Sequence, residues 1–113
     1  MNRRQVRCLL RCLLLVTFTA MITGPARGQS AGETLFKAKC VMCHGADGKG
    51  EVPMGKKLNI PSFAAPDVQN QSDAQLTDAV TKGKNKMPAY DGKLTKDQIA
   101  QLVAYIRELG KKH

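Results

Sequence analysis

The five residues Cys40-Val41-Met42-Cys43-His44 form the motif that decides how this chain is interpreted. Cys-x-x-Cys-His is the sequence to which c-type haem is attached. Two cysteines three positions apart at the end of a helix project near the same face, so both can form thioethers to the two vinyl groups of a haem. The adjacent histidine is then placed to bind the iron from one side. The motif therefore predicts one covalently attached haem c, bound by Cys40, Cys43 and His44.

Three other kinds of site use the same residue types. A thioredoxin-like dithiol also contains Cys-x-x-Cys, but it accompanies a βαβ pattern that this sequence lacks. A structural zinc site needs four ligands, whereas Cys40, Cys43 and His44 supply three and the only other histidine is the last residue, His113. A disulfide between the two cysteines would close a loop too small to constrain the unfolded chain much. Haem attachment is favoured over all three.

The first 28 residues have the features of a secretory signal peptide. Four arginines precede a short uncharged apolar run, and the small residues Ala26 and Gly28 follow in the spacing that a signal peptidase accepts. The run is shorter than the ~20 apolar residues that a membrane-spanning helix needs, and it contains Pro25 near its end. We therefore expect residues 1–28 to be removed and residues 29–113 to form one periplasmic domain with no stable membrane anchor.

The charge balance excludes one class of function. Five of the 18 basic residues lie in the signal segment, which leaves 13 against nine acidic residues and a net charge of +4. This mildly basic domain has no basic stretch interleaved with aromatic residues, so we expect no nucleic-acid binding. Its 85 residues contain no Trp, and domains this small bury a limited share of their surface. A large planar cofactor would supply the missing core.

The helical pattern predicts an all-α fold with about three main helices wrapped around the haem. Three Ser/Thr-x-x-Glu/Gln capping boxes begin stretches with helical spacing: Ser30…Glu33, Ser72…Gln75 and Thr95…Gln98. The predicted helices span residues 31–39, 73–82 and 96–109, and glycines at 83 and 110 end the second and third. Residues 45–71, rich in Gly and Pro, are predicted to be irregular. A loop of that length is acceptable where it packs on a cofactor.

The second axial ligand of the iron is predicted to be a methionine. Met42 lies inside the attachment motif, too close to reach the opposite face of the haem. Met54 is interpreted as a core-filling residue. Met87 is followed by Pro88, which fixes φ, removes an N–H and stiffens the segment that presents the sulfur. Met87 is therefore the candidate, and a His/Met pair gives a haem that carries electrons at raised potential and has no open position for substrate.

Taken together, these motifs resemble the class I cytochrome c family, and most of all its short bacterial members of the c6/c553 type. The segments that carry the resemblance are Gly32…Phe36, Cys40-Val41-Met42-Cys43-His44-Gly45, Lys86-Met87-Pro88-Ala89-Tyr90 and Leu102-Val103-Ala104-Tyr105-Ile106. The resemblance implies that Cys40 and Cys43 hold the haem, with His44 as proximal and Met87 as distal ligand.

The same resemblance implies features of packing around the haem. The first and last helices should cross near Gly32 and Phe36, where a glycine allows close approach, against Leu102, Tyr105 and Ile106. The carbonyl of Pro53 is expected to support His44 from behind.

The expected function is that of a single-haem electron-transfer carrier between redox proteins outside the cytoplasmic membrane, without catalytic residues. Lysines before and around Met87 are expected to face acidic redox partners: Lys82, Lys84, Lys86, Lys56, Lys57 and Lys93. Two alternatives remain open. One is haem-ligand chemistry, peroxidase-like or gas-binding, and the other is a dedicated subunit through which electrons reach a larger oxidoreductase complex.

Overall fold

A computed structural model describes residues 26–113 and the isolated positions 2 and 5, with side chains of the first helix described from residue 31. The predicted signal peptide thus lies almost wholly outside the described residues. Within the described part, no helix is long and apolar enough to cross a membrane. Residues 26–113 contain six helices: α1 (Ala26–Lys39), α2 (Val41–His44), α3 (Pro53–Lys57), α4 (Pro66–Gln69), α5 (Asp73–Lys82) and α6 (Lys96–Lys111).

The all-α prediction is confirmed, and the three main helices are α1, α5 and α6, with 14, 10 and 16 residues. Across residues 26–113 the only β-type pairing is a single bridge between Lys84 and Met87. Helix α5 has the predicted bounds. Helix α1 begins at Ala26, five residues earlier than predicted, so Ser30 lies within the helix and the predicted capping box at Ser30 is wrong.

The other two capping boxes are present. The Ser72 hydroxyl accepts from Gln75 N at 3.2 Å while Ser72 N donates to Gln75 Oε1 at 2.8 Å. In the same way, the Thr95 hydroxyl accepts from Gln98 N at 3.2 Å, and Thr95 N donates to Gln98 Oε1 at 2.9 Å. Each box satisfies backbone N–H groups that a helix start would leave without partners. These two caps fix where α5 and α6 begin.

Helix α6 runs past the predicted end at residue 109. Gly110 is buried inside it, where an added Cβ would lie 2.7 Å from the carbonyl oxygen of Phe63 and against the side chain of Gln69. The glycine therefore permits close packing of α6 on the loop at Phe63, and it does not end the helix as predicted.

The passage 45–71 is less irregular than predicted, because it contains the one-turn helices α3 and α4. Each begins with a proline at its first helical position, Pro53 and Pro66. Proline suits that position because its fixed φ is already helical and its missing N–H would have no intrahelical acceptor. The two prolines are therefore local sequence signals for the starts of α3 and α4.

The first and last long helices cross as the sequence analysis expected. A Cβ added at Gly32 would lie 2.9 Å from the carbonyl carbon of Gln101 and 3.1 Å from Tyr105 Cβ, so only glycine fits the crossing. One turn further on, the rings of Phe36 and Tyr105 lie 5.4 Å apart. Phe36 and Leu102 are the most deeply buried large side chains of the described residues. The crossing places Phe36 and Leu102 in the wall of the cavity described in the next subsection.

Candidate functional site: an apolar cavity with sulfur and imidazole donors

A cavity of about 790 Å³ lies between the attachment segment, residues 40–44, and the segment that follows α5. Its walls are mainly apolar side chains, among them Phe36, Val68, Leu76, Val80, Leu102 and Ile106. Cys40, Cys43 and His44 line one wall, and Met87 also lines the cavity. Its volume is within the range of small-molecule and cofactor sites. The structure thus brings together the four residues that the sequence analysis singled out.

The attachment segment is held at the C-terminal end of α1. Cys40 N donates to Phe36 O at 2.8 Å, and His44 N donates to Cys40 O at 2.9 Å, so the motif forms one further helical turn. Helix α3 packs on this turn through Gly55, where an added Cβ would lie 2.5 Å from the carbonyl oxygen of Cys43. The backbone around both cysteines is therefore held from two sides.

The two cysteines form no disulfide, and both are partly exposed. Burial, together with the neighbouring Cys43, raises the pKa of Cys40 to about 11. A redox dithiol needs a thiolate, which depends on a lowered pKa. The environment of Cys40 therefore argues against the thioredoxin-like alternative.

The ring of His44 is positioned by stacking. Phe63 lies parallel to it at a centroid distance of 4.8 Å and an interplanar angle of 25°. Burial lowers the pKa of His44 below its usual value, so the imidazole is neutral near pH 7, and the neutral form is the one that binds a metal. Sequence reasoning missed Phe63, although it is one of few aromatic residues and lies in the predicted cofactor-wrapping loop.

The expected support of His44 by Pro53 is wrong. Buried His44 Nδ1 has no hydrogen-bond partner among the described residues. Pro53 is the first residue of helix α3, and the contact that the structure shows for the ring is its stacking with Phe63.

The two candidate methionines occupy different environments. Met87 is half-buried against the core and lines the cavity. Met54 lies in α3, is 39 % exposed and does not line the cavity. It is not the core-filling residue that the sequence analysis took it for, since α3 presents it to solvent. Its position nevertheless agrees with the choice of Met87 over Met54 as ligand candidate, which stays a prediction.

Four lysines line the cavity, and no acidic residue does. Two of them, Lys84 and Lys86, were predicted, whereas Lys37 and Lys39 at the end of α1 were missed. The other predicted lysines do not line it: Lys56, Lys57, Lys82 and Lys93. Lys37 pairs with Glu33 at 2.6 Å. Met42, 78 % exposed, lies in the attachment segment on the same cavity.

A haem fits this set of residues. Paired thiols three residues apart match the two vinyl groups, a neutral imidazole and a thioether are donors that haem iron accepts, and the apolar walls suit a porphyrin. Neither a zinc site nor another metal cluster competes, because the described residues contain no group of three or more His, Cys, Asp or Glu placed to hold a metal ion.

Comparisons with known proteins point in the same direction. Residues 28–106 match the family model described as "Cytochrome C oxidase, cbb3-type, subunit III". A cytochrome c6 of Rippkaea orientalis is 38% identical over 96 residues, which cover 83% of this chain and 84% of the relative. A cytochrome c6 of Gloeothece citriformis is 30% identical over 113 residues and 97% of each chain.

The fold has a counterpart among solved structures. The KustC0563 c-type cytochrome superposes with a TM-score of 0.64 at 29% sequence identity, over 69% of this chain and 95% of that one. Fold, motif and relatives agree, and they identify the chain as a member of the class I cytochrome c family, a c6-like haem electron carrier with covalently bound haem c.

Proposed function

We propose that this protein is an exported carrier of single electrons, with its haem attached at Cys40 and Cys43 and its iron held by His44 and Met87. The observation that carries the proposal is the meeting of these four side chains on one apolar cavity. When bound, the haem supplies a one-electron redox couple. The chain's own residues hold it, exclude water from the iron and leave its edge near the surface.

The proposed ligand pair suits an electron carrier. Neutral His44, stacked on Phe63, and the sulfur of Met87 would be the two protein ligands of the iron. A His/Met pair raises the reduction potential and leaves no open coordination position. The apolar walls formed by residues such as Leu102 and Val80, both at most 4 % exposed, keep water away.

The lysines of the cavity support a proposal about partners. Lys39, Lys84 and Lys86 form none of the ion pairs found among the described residues, so their charge is free to act on an approaching molecule. Exposed Met42 adds an apolar contact. An acidic-faced redox protein would be steered toward this surface at long range, and salt would weaken the effect.

The proposed location outside the cytoplasmic membrane rests on the signal-like segment 1–28. Amino-terminal sequencing of the protein purified from its native host tests it directly. A mature amino terminus near residue 29 is expected, and an intact Met1 on the haem-loaded protein would contradict export by cleavage.

The sharpest test of the proposed ligands compares two methionine variants of the holoprotein. Met87→Ala removes the proposed sulfur ligand, so the midpoint potential should fall and the ferrous haem should bind carbon monoxide, while the haem stays attached. Met54→Ala is the matched control, because Met54 does not line the cavity, and it should change neither property. If Met87→Ala leaves both unchanged, the ligand is wrongly assigned.

The family model supports a second candidate function. Its description names a subunit of a cytochrome oxidase, and it matches most of the domain. In that role the protein would deliver electrons as a fixed component of a larger oxidoreductase complex. Fractionation of the native host separates the two roles. A free carrier is recovered alone in the fraction released without detergent, whereas a fixed subunit co-elutes with haem-containing partners from solubilised membranes.

A further inference from the structure

The segment that presents Met87 is a closed loop, here named the Met87 strap and defined as residues 83–90. Its first residue, Gly83, ends α5 with a φ of +74°. Inside the strap, Met87 N donates to Lys84 O at 2.9 Å and Lys84 N donates to Met87 O at 3.3 Å. At its far end, Tyr90 N donates to Thr81 O at 3.1 Å. Both ends of the strap are thus fixed to α5.

The strap forms part of the cavity wall. Its residues Lys84, Asn85, Lys86, Met87, Pro88 and Tyr90 line the cavity, and Ala89 is exposed. The strap is fixed to α5, but the attachment segment follows α1 on a different part of the cavity wall. A bond between the strap and α1 would therefore control how readily the two sides part.

Tyr90 makes such a bond. Its hydroxyl donates to the carbonyl oxygen of Lys39 at 3.3 Å, across 51 positions of sequence. Lys39 is the last residue of α1 and precedes Cys40, and carbonyls at a helix end lack an intrahelical donor. Between the strap and the described residues 35–63, this is the only hydrogen bond or ion pair. The Tyr90 ring also lines the cavity.

We propose that Tyr90 is a positioning residue whose hydroxyl tethers the Met87 strap to the end of α1 and so keeps the sulfur over the iron. The tether rests on the proposed function, since it acts through Met87 as ligand. It restrains opening of the strap. External ligands bind the iron only after Met87 has moved away, so the tether limits their rate of binding without itself touching the iron.

The test uses the oxidised holoprotein and imidazole as the external ligand, with binding followed by the change in haem absorption. Tyr90→Phe keeps the ring and removes only the hydroxyl. Imidazole binding should become about 2- to 12-fold faster, the factor that corresponds to one hydrogen bond of ordinary net strength. Tyr105→Phe is the matched control, because Tyr105 is buried in the α1–α6 contact and does not line the cavity. It should leave the rate unchanged.

The outcomes separate this proposal from the one on which it rests. A faster rate in Tyr90→Phe alone supports the tether. The tether is overturned if imidazole binds Tyr90→Phe at the wild-type rate. It is also overturned if Tyr90→Phe and Tyr105→Phe bind imidazole equally faster and both have a lower unfolding free energy than the wild type. Met87→Ala is measured alongside and should bind imidazole fastest. If the wild type already binds imidazole as fast as Met87→Ala, the assignment of Met87 fails and the tether fails with it.

Discussion

The crossing of α1 and α6 at Gly32 gives a prediction whose size follows from the structure. Gly32→Ala would place a Cβ 2.9 Å from the carbonyl carbon of Gln101 and 3.1 Å from Tyr105 Cβ. Backbone cannot rotate away as a flexible side chain can, so the helices must separate. Overpacking costs about 1–3 kcal/mol, and because the contact is with backbone we take the upper part of that range, about 2–3 kcal/mol. Alanine gains about 0.8–1.0 kcal/mol over glycine inside a helix, and the net loss of unfolding free energy should be about 1–2 kcal/mol.

Urea unfolding of the holoprotein, followed by far-ultraviolet circular dichroism, measures this loss as a lower midpoint at unchanged slope. The control is Ala104→Gly, at an exposed position of α6, which isolates the propensity term and should cost about 1 kcal/mol. If Gly32→Ala is as stable as the wild type or more stable, the higher helix propensity of alanine outweighs the cost of overpacking at the crossing. The close crossing inferred here would then be refuted.

Two further predictions concern the outer surface. Arg107 donates to Asp73 Oδ1 at 2.9 Å and to the carbonyls of Gln69 and Gln71, with its side chain 18% exposed. Arg107→Ala should therefore lower the unfolding free energy by about 1.5–3 kcal/mol. Asp73→Asn loses only a surface ion pair and should lower it by less than about 1 kcal/mol. Equal losses in the two variants would show that the bonds from Arg107 to the carbonyls of Gln69 and Gln71 do not stabilise the fold. Lys86→Glu should slow reduction by an acidic [2Fe–2S] ferredoxin by up to about tenfold at low salt, whereas Lys57→Glu, away from the cavity, should not.

Much of the fold was available from local sequence signals. The boxes at Ser72 and Thr95 fixed the starts of α5 and α6, because a cap involves residues only three positions apart. Gly110 was wrongly predicted to end the last helix, because its role depends on contacts with residues distant in sequence. Whether a glycine ends a helix or permits packing depends on what lies beside it, and Phe63 and Gln69 are distant in sequence. The prolines at 53 and 66 were local signals for α3 and α4 that were overlooked.

In the candidate site, too, residues in local motifs could be predicted, whereas contacts between distant segments could not. Cys40, Cys43 and His44 were found because they form one contiguous motif, and Met87 because a proline follows it. The stacking of Phe63 on His44 and the bond from Tyr90 to Lys39 join residues far apart in sequence. No spacing rule reveals such pairs. The expected bond between Pro53 and His44 is likewise a contact between different segments, and His44 Nδ1 has no hydrogen-bond partner among the described residues.

A redox titration of the purified holoprotein, repeated under carbon monoxide, tests the central claim most directly. An electron carrier whose iron is held on both sides takes up one electron per chain reversibly, and its reduced absorption spectrum is the same with and without carbon monoxide. We predict that result. Stoichiometric formation of a carbon monoxide complex by the wild-type protein would contradict it, and would indicate haem-ligand chemistry in place of electron transfer.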